Sequence, residues 1–169
     1  MAGTPQQPPD DFVALFEQHH PRALRLAYLL SRDRAASEDV AAAAMARVFE
    51  RWRRGGIDDV WRYLATVVVN EVRRRGRRAA LEQRALTLAP RATAGEDTDG
   101  ATVDRDLLRR LLAELSQRQR EVLVLRYYAD MSEADIAATL GCSPGSVKTH
   151  ASRGLARLRA AMPRDEVDA

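Results

Sequence analysis

The stretch "SEADIAATLGCSPGSVKTH", residues 132–150, constrains the fold more than any other part of the chain. It carries start and stop signals for two short helices, set so close together that the chain must turn a tight corner between them. Ser132 and Asp135 form an S-x-x-D capping box, in which a hydroxyl takes up an N–H that the first helical turn leaves unbonded. The helix it opens runs through Ile136 and Leu140. Gly141 suits the left-handed position that closes a helix, because a residue without a Cβ meets no clash there. Ser143 caps the next helix, with Pro144 at its first position, where a missing N–H costs nothing. From there Val147, Ala151, Leu155, Leu158 and Met162 recur at three or four residues and form an inward stripe. Small Ala137 permits the close crossing that the corner requires. Upstream, Ser116 and Gln119 form another capping box, opening a helix with Val122, Leu123, Leu125 and Tyr128 that supports the corner.

The outward face of the second helix carries Ser146, Thr149, Arg153 and Arg157, with Lys148 beside it and the cap Ser143 at its start, and these six are the candidate DNA contacts. In a DNA-binding helix-turn-helix the second helix enters the major groove and its first turns reach the base edges. The competing reading is an ordinary helical hairpin with solvated charges. Against it stands the agreement of cap, small crossing residue, glycine stop, second cap and basic outer face.

The rest of the chain is helical in pattern. From Asp11 to about Gln83, Phe12, Leu15, Phe16, Leu24, Tyr28 and Leu29 recur at three- and four-residue spacing. Ser37 reads as the N-cap of a helix carrying Val40, Ala44, Met45, Val48, Phe49 and Trp52. "RGGIDDV" (54–60) breaks that helix, and another runs through Tyr63, Leu64, Val67, Val68 and Val72. Four or so helices are expected here. Residues 84–105 lose the apolar period and gain Pro, Gly, Thr and acids, which makes them a linker. Residues 1–10 and 163–169 are tails with nothing to bury. The expected fold is therefore all-α: two small helical domains, 11–83 and 106–162, joined by a flexible linker.

Other classes are disfavoured. His19 and His20 are adjacent and His150 lies in the corner's second helix, so no metal-ligand spacing arises, and neither a metal nor a cofactor is expected. Cys142 has no candidate base beside it, so no catalytic residue is assigned and Cys142 reads as filler in the corner; the chain reads as a non-enzyme. A receiver or a serine recombinase would need strands alternating with helices, which residues 11–83 lack. No apolar run approaches the roughly 20 residues of a membrane span. The start lacks a signal peptide's apolar stretch, and a single cysteine fits a reducing compartment, so the cytoplasm is expected.

The net charge of +3 says less than its placement. Trp52, Trp61 and Tyr63 flank "RRGGIDDV", close to Arg53 and Arg54, and Arg73, Arg74, Arg75, Arg77 and Arg78 follow. Holding an opened DNA strand needs cations for phosphates and flat faces or pockets for unpaired bases. Tyr63 reads as core, while Trp61 reads equally as core or as a stacking face.

These blocks resemble a known family. "LSQRQREVLVLRYYADMSEADIAATLGCSPGSVKTHASRGLARLR" (115–159) is similar to region 4 of extracytoplasmic-function RNA polymerase sigma factors. "DFVALFEQHHPRALRLAYLLSRDRAASEDV", "ARVFERW" and "YLATVVVNEVRRRGRR" resemble region 2. The resemblance implies a sigma factor that binds core RNA polymerase and directs promoter-specific initiation. Region 2 would dock on the β′ clamp helices and melt the −10 element; region 4 would read the −35 element and sit on the β flap. It places the −10 surface at Arg53, Arg54, Trp61, Asn70, Arg73, Arg74 and Arg77, and polymerase contacts at Glu38 and Asp39. The acidic linker would lie toward the RNA exit channel. An anti-sigma factor joins the expected partners, since members are often held by one. In two places the chain departs from the family. Ala41 to Ala44 replace a pattern with Gln and an acid, Met45 takes the place of Phe, and Trp61 stands where a smaller or charged residue is usual. Weaker polymerase contacts are expected from the first departure, which keeps open a sigma-like DNA-binding regulator that does not itself initiate transcription.

Overall fold

The computed structural model describes residues 10–86 and 103–162. Its elements are α1 (Asp10–Ser31), α2 (Arg34–Arg54), α3 (Val60–Leu86), α4 (Val103–Glu114), α5 (Gln117–Tyr127), α6 (Glu133–Leu140) and α7 (Pro144–Ala161), with no strand among the described residues. Most of the expected linker and both tails lie outside them.

The N-terminal half holds three helices rather than four or so, because α1 runs unbroken with Pro21 inside it. Ser37 is not a cap. Asp33 is, its carboxylate accepting from the Ala36 N–H at 3.0 Å, so α2 begins at Arg34. Ser37 lies a turn inside, buried, with its hydroxyl donating to the Asp33 carbonyl. Aspartate one turn earlier wins because its extended backbone and short carboxylate meet the first free N–H groups. Gly55 and Gly56, at φ 76° and 85°, let the chain leave α2 through conformations closed to most residues. Asp59 then opens α3, its carboxylate accepting from the Arg62 N–H at 2.9 Å. Leu26, Val40, Met45, Val48, Leu64, Val68 and Val69 form the centre of this half. Full burial of each such side chain is worth about 1.5–3 kcal/mol.

The C-terminal half follows the capping signals closely. Ser116 and Gln119 make both bonds of a capping box. Ser132 accepts from the Asp135 N–H, and its own hydroxyl donates to the Asp135 carboxylate at 2.7 Å. Gly141 is left-handed at φ 64°, and Ser143 caps α7 with Pro144 at its start. Leu115, Val122, Leu125, Ile136, Leu140 and Val147 form its centre, with Ala137 buried beside them as expected. A second close crossing went unread in the sequence. A Cβ on Gly154 would lie 2.8 Å from Leu123 Cδ1, so α5 and α7 approach to a distance that only glycine allows without a shift.

Candidate nucleic-acid interface

Helix α7 has one buried side and one open side. Val147, Ala151 and Gly154 face the core, with Leu155 and Leu158 packed against it. Ser143, Lys148, Thr149, Arg153 and Arg157 are exposed, and Ser146 is half-buried beneath its bond to Ser143. The polar groups near the N-terminus are arranged by the helix itself. Ser143 Oγ and Ser146 Oγ lie 2.9 Å apart, and the Thr149 hydroxyl donates to the Gly145 carbonyl at 3.0 Å. Glu133 on α6 approaches Lys148 Nζ at 3.7 Å and Arg126 at 3.1 Å, while Arg157 pairs with Glu114 at 3.8 Å. Among the described residues Arg153 has no ionic or hydrogen-bond partner. The face thus presents two loosely paired cations around a free one, next to a helix N-terminus that itself attracts anions.

The expected −10 residues divide into two groups. Asn70, Arg54 and Arg77 are exposed and without side-chain partners among the described residues, and Arg53 lies over the Phe49 ring at 5.7 Å. Arg74 is exposed but makes two bonds to Glu71, at 2.7 and 3.0 Å. Arg73 and Trp61 are engaged across the molecule. Arg73 has only 15% of its side chain exposed; its Nε lies 3.2 Å from Glu121 Oε1, and its two terminal nitrogens donate to the Leu140 carbonyl. The Trp61 indole N–H donates to the Ala129 carbonyl at 3.0 Å, with the Arg22 guanidinium 3.9 Å above its ring and His19 and Tyr128 beside it. Of the two readings of Trp61 in the sequence, core is the nearer one: it is half-buried and packs against the core, and the bond to the other half went unread. Tyr63 is half-buried and packed against the core.

On α2, Glu38 and Asp39 are exposed, with Glu38 3.9 Å from Arg34 and Asp39 3.1 Å from Arg75. The alanine run also divides. Ala41 and Ala44 are fully buried, so their small size serves helix packing, whereas Ala42 is exposed and Ala43 half-buried. Met45 is buried in the core. Only Ala42 and Ala43 shorten the surface that follows Asp39. Cys142 is half-buried and packed against the core, as a filler residue would be.

Two buried carboxylates escaped the sequence reading. Glu71 is held by Arg74 and Arg47, and the Arg74 hydrogen bond keeps its carboxyl below the usual range despite burial. Its position was readable: Leu64, Val68 and Glu71 share one helical stripe, so a charge at 71 must point inward. Glu121 accepts from Gln117 and Arg118, and burial pushes its carboxyl up against the pull of those partners.

Among the described residues no cluster of His, Cys, Asp and Glu could hold a metal, and no helix is long and apolar enough to cross a membrane. Residues 15–82 match the family described as Sigma-70 region 2, and residues 105–158 match Sigma-70, region 4. The chain is 36% identical over 149 residues to an RNA polymerase sigma-E factor of Streptomyces avermitilis, covering 86% of this chain and 82% of that protein. It is 30% identical over 153 residues to the ECF RNA polymerase sigma factor SigL of Mycobacterium tuberculosis, covering 86% and 85%. Its fold is similar to that of the sigma factor RpoE solved in complex with the anti-sigma factor NepR from Bartonella quintana, with a TM-score of 0.74 and 24% identity over 94% of this chain and 99% of that one. The two matched regions, on the two helical halves, make this chain a member of the sigma-70 family, an extracytoplasmic-function RNA polymerase sigma factor.

Proposed function

We propose that the α4–α7 half reads the −35 element through the outer face of α7, and that the α1–α3 half docks on the β′ clamp helices of core RNA polymerase and opens the −10 element. The observation that carries this reading is the open face of α7, where Lys148, Thr149, Arg153 and Arg157 stand opposite a buried stripe. A helix capped by Ser143 and backed by its own core can enter a major groove without rearranging. On the other half, Asn70, Arg54 and Arg77 offer one amide and two cations to a separated strand. Glu38 and Asp39 are the exposed acids available to a basic clamp surface. An anti-sigma factor is a further partner that family membership supports.

Run-off transcription with purified chain and core polymerase tests the whole reading, and a promoter-dependent transcript is expected. Binding by the chain and core polymerase without any transcript would favour the non-initiating regulator. Arg153→Ala tests the −35 face: a base contact predicts a loss of about 1–3 kcal/mol with altered sequence preference. A phosphate contact would instead weaken all sequences alike and flatten the salt dependence. Ala42→Gln with Ala43→Glu extends the acidic stripe beyond Asp39 and should tighten core binding in a competition titration, without changing promoter choice.

A further inference from the structure

At the seam between the halves, beside the apolar core that runs through both, the packing leaves a cavity of about 300 Å³. Val40, Val69 and Val72 form its apolar wall, and Ala36, Gly76 and Ala79 leave room because none carries more than a methyl group. The opposite side is the first turn of α5, with Gln117, Arg120 and Glu121. An apolar wall facing a few polar groups, in a volume of this order, is the composition of a small-ligand site.

Arg120 sets the chemistry of that site. It is buried, and its Nε and one terminal nitrogen donate to the Leu30 and Leu112 carbonyls at 3.1 and 3.3 Å. The other terminal nitrogen has no hydrogen-bond partner among the described residues. The acids around the cavity are engaged elsewhere. Glu121 follows Arg120 in sequence, but its oxygens are met by Gln117, Arg73 and Arg118. Asp33 caps α2 through the Ala36 N–H, and Arg75 at the rim is paired with Asp39. Burial first, and then the nearby Arg32 charge, disfavour the charged form of Arg120, yet a guanidinium keeps its proton. Carbonyl dipoles answer such a charge only in part, so the cavity holds a buried cation that lacks a bonded counter-ion. The N-terminus of α5 adds the positive end of a helix dipole on the same side.

We propose that this cavity binds a small aliphatic carboxylate, whose head accepts from the open terminal nitrogen of Arg120 and whose alkyl chain lies on the valine wall between α2 and α3. A bare anion would leave that wall unused, and an uncharged chain would leave Arg120 unanswered. Because the head is held by α5 and the chain by α2 and α3, binding braces all three helices and stabilises the folded protein. This site is independent of the promoter and polymerase contacts proposed above.

The test titrates the full chain with sodium hexanoate, followed by calorimetry and thermal unfolding. Hexanamide keeps the chain without the charge, and sodium phosphate keeps a charge without the chain. Sodium chloride controls for ionic strength. At about ten times its Kd, hexanoate should raise Tm by roughly 3–6 °C, with little response to the other three. Arg120→Gln should weaken hexanoate binding by about tenfold or more, the loss expected of a hydrogen bond to a charged group. Gly76→Leu guards against loss of folding in that variant. A Cβ at Gly76 meets no atom within 4 Å, and leucine favours a helix more than glycine does, so this variant should fold while its side chain obstructs the cavity. It too should weaken hexanoate binding by about tenfold or more. No response to hexanoate, an equal response to hexanamide or to phosphate, or binding that Gly76→Leu leaves unchanged overturns the assignment.

Discussion

Glu71 and Glu121 are both buried glutamates flanked by arginines, one in each half, yet their surroundings act on them in opposite directions. Glu71 lies on α3 inside its own half, where the Arg74 hydrogen bond and the nearby Arg47 charge outweigh burial and hold the carboxylate ionised. Glu121 lies on α5 at the seam, where burial outweighs Gln117, Arg118 and Arg120 and pushes its carboxyl up. One is a fastening within a half. The other is a charge kept at a border, where Arg73 from the opposite half approaches it. The contrast is local: Glu71 is compensated by arginines of its own half, whereas Glu121 also meets an arginine of the other half, and the apolar core runs through both halves.

The largest effect that would sharpen this contrast comes from the cores. Leu64→Ala and Leu125→Ala each remove a fully buried side chain and should cost about 2–5 kcal/mol. Because most contacts of each leucine lie within its own half, hydrogen exchange on the full chain should show each loss mainly there. Equal spread of both losses through α1–α7 would break the comparison. Glu71→Gln should cost about 1.5–3 kcal/mol in urea unfolding, the range of a hydrogen bond to a charged group. Its pH signature follows from sign: a carboxyl depressed on folding contributes stability above its ordinary 4.5, lost as the pH falls through the lower folded value. The glutamine variant should therefore lose less stability than the wild type on acidification.

Glu121→Gln should behave differently. A carboxyl raised on folding is favoured below its ordinary 4.5 and loses that advantage as the pH rises through its folded value, so ionisation at neutral pH works against the fold. The amide removes that opposing charge, so it should cost less stability at neutral pH than Glu71→Gln does. A loss as large as that of Glu71→Gln would erase the distinction between the two sites. The smallest effect concerns His19, which is packed beside Trp61 with Nδ1 buried and unpartnered among the described residues. Burial first, and then the Arg22 charge, lower its pKa. Its contribution is present above the ordinary 6.5 and is lost as the pH falls through the lower folded value. His19→Gln should flatten a mild decline in stability below that pH, read by thermal unfolding across a pH series.

Much of the corner was legible in advance because its signals are local. Ser132, Gly141, Ser143 and Pro144 act within a turn of themselves, through N–H groups and backbone angles that neighbours in sequence supply. The same locality explains the one misplaced cap. Ser37 and Asp33 are both capping residue types, and the choice between them depends on where α1 lets the chain turn, at Arg32 with φ 61°.

By itself the sequence determined the all-helical class, the helices of the corner, the apolar stripes and the basic outer face of α7, since periodicity and capping are properties of short stretches; that α1 runs unbroken through Pro21, leaving three helices in the first half, it did not. Only the tertiary structure decided that Gly154 sits under Leu123, that Ala41 and Ala44 are core, and that Arg73, Arg120 and Trp61 reach across the seam. The contacts of Arg73, Arg120 and Trp61 join residues 67 to 90 positions apart. An arginine or an indole N–H carries no mark of a distant acceptor, and a carbonyl at a helix end finds its donor only once the halves have packed.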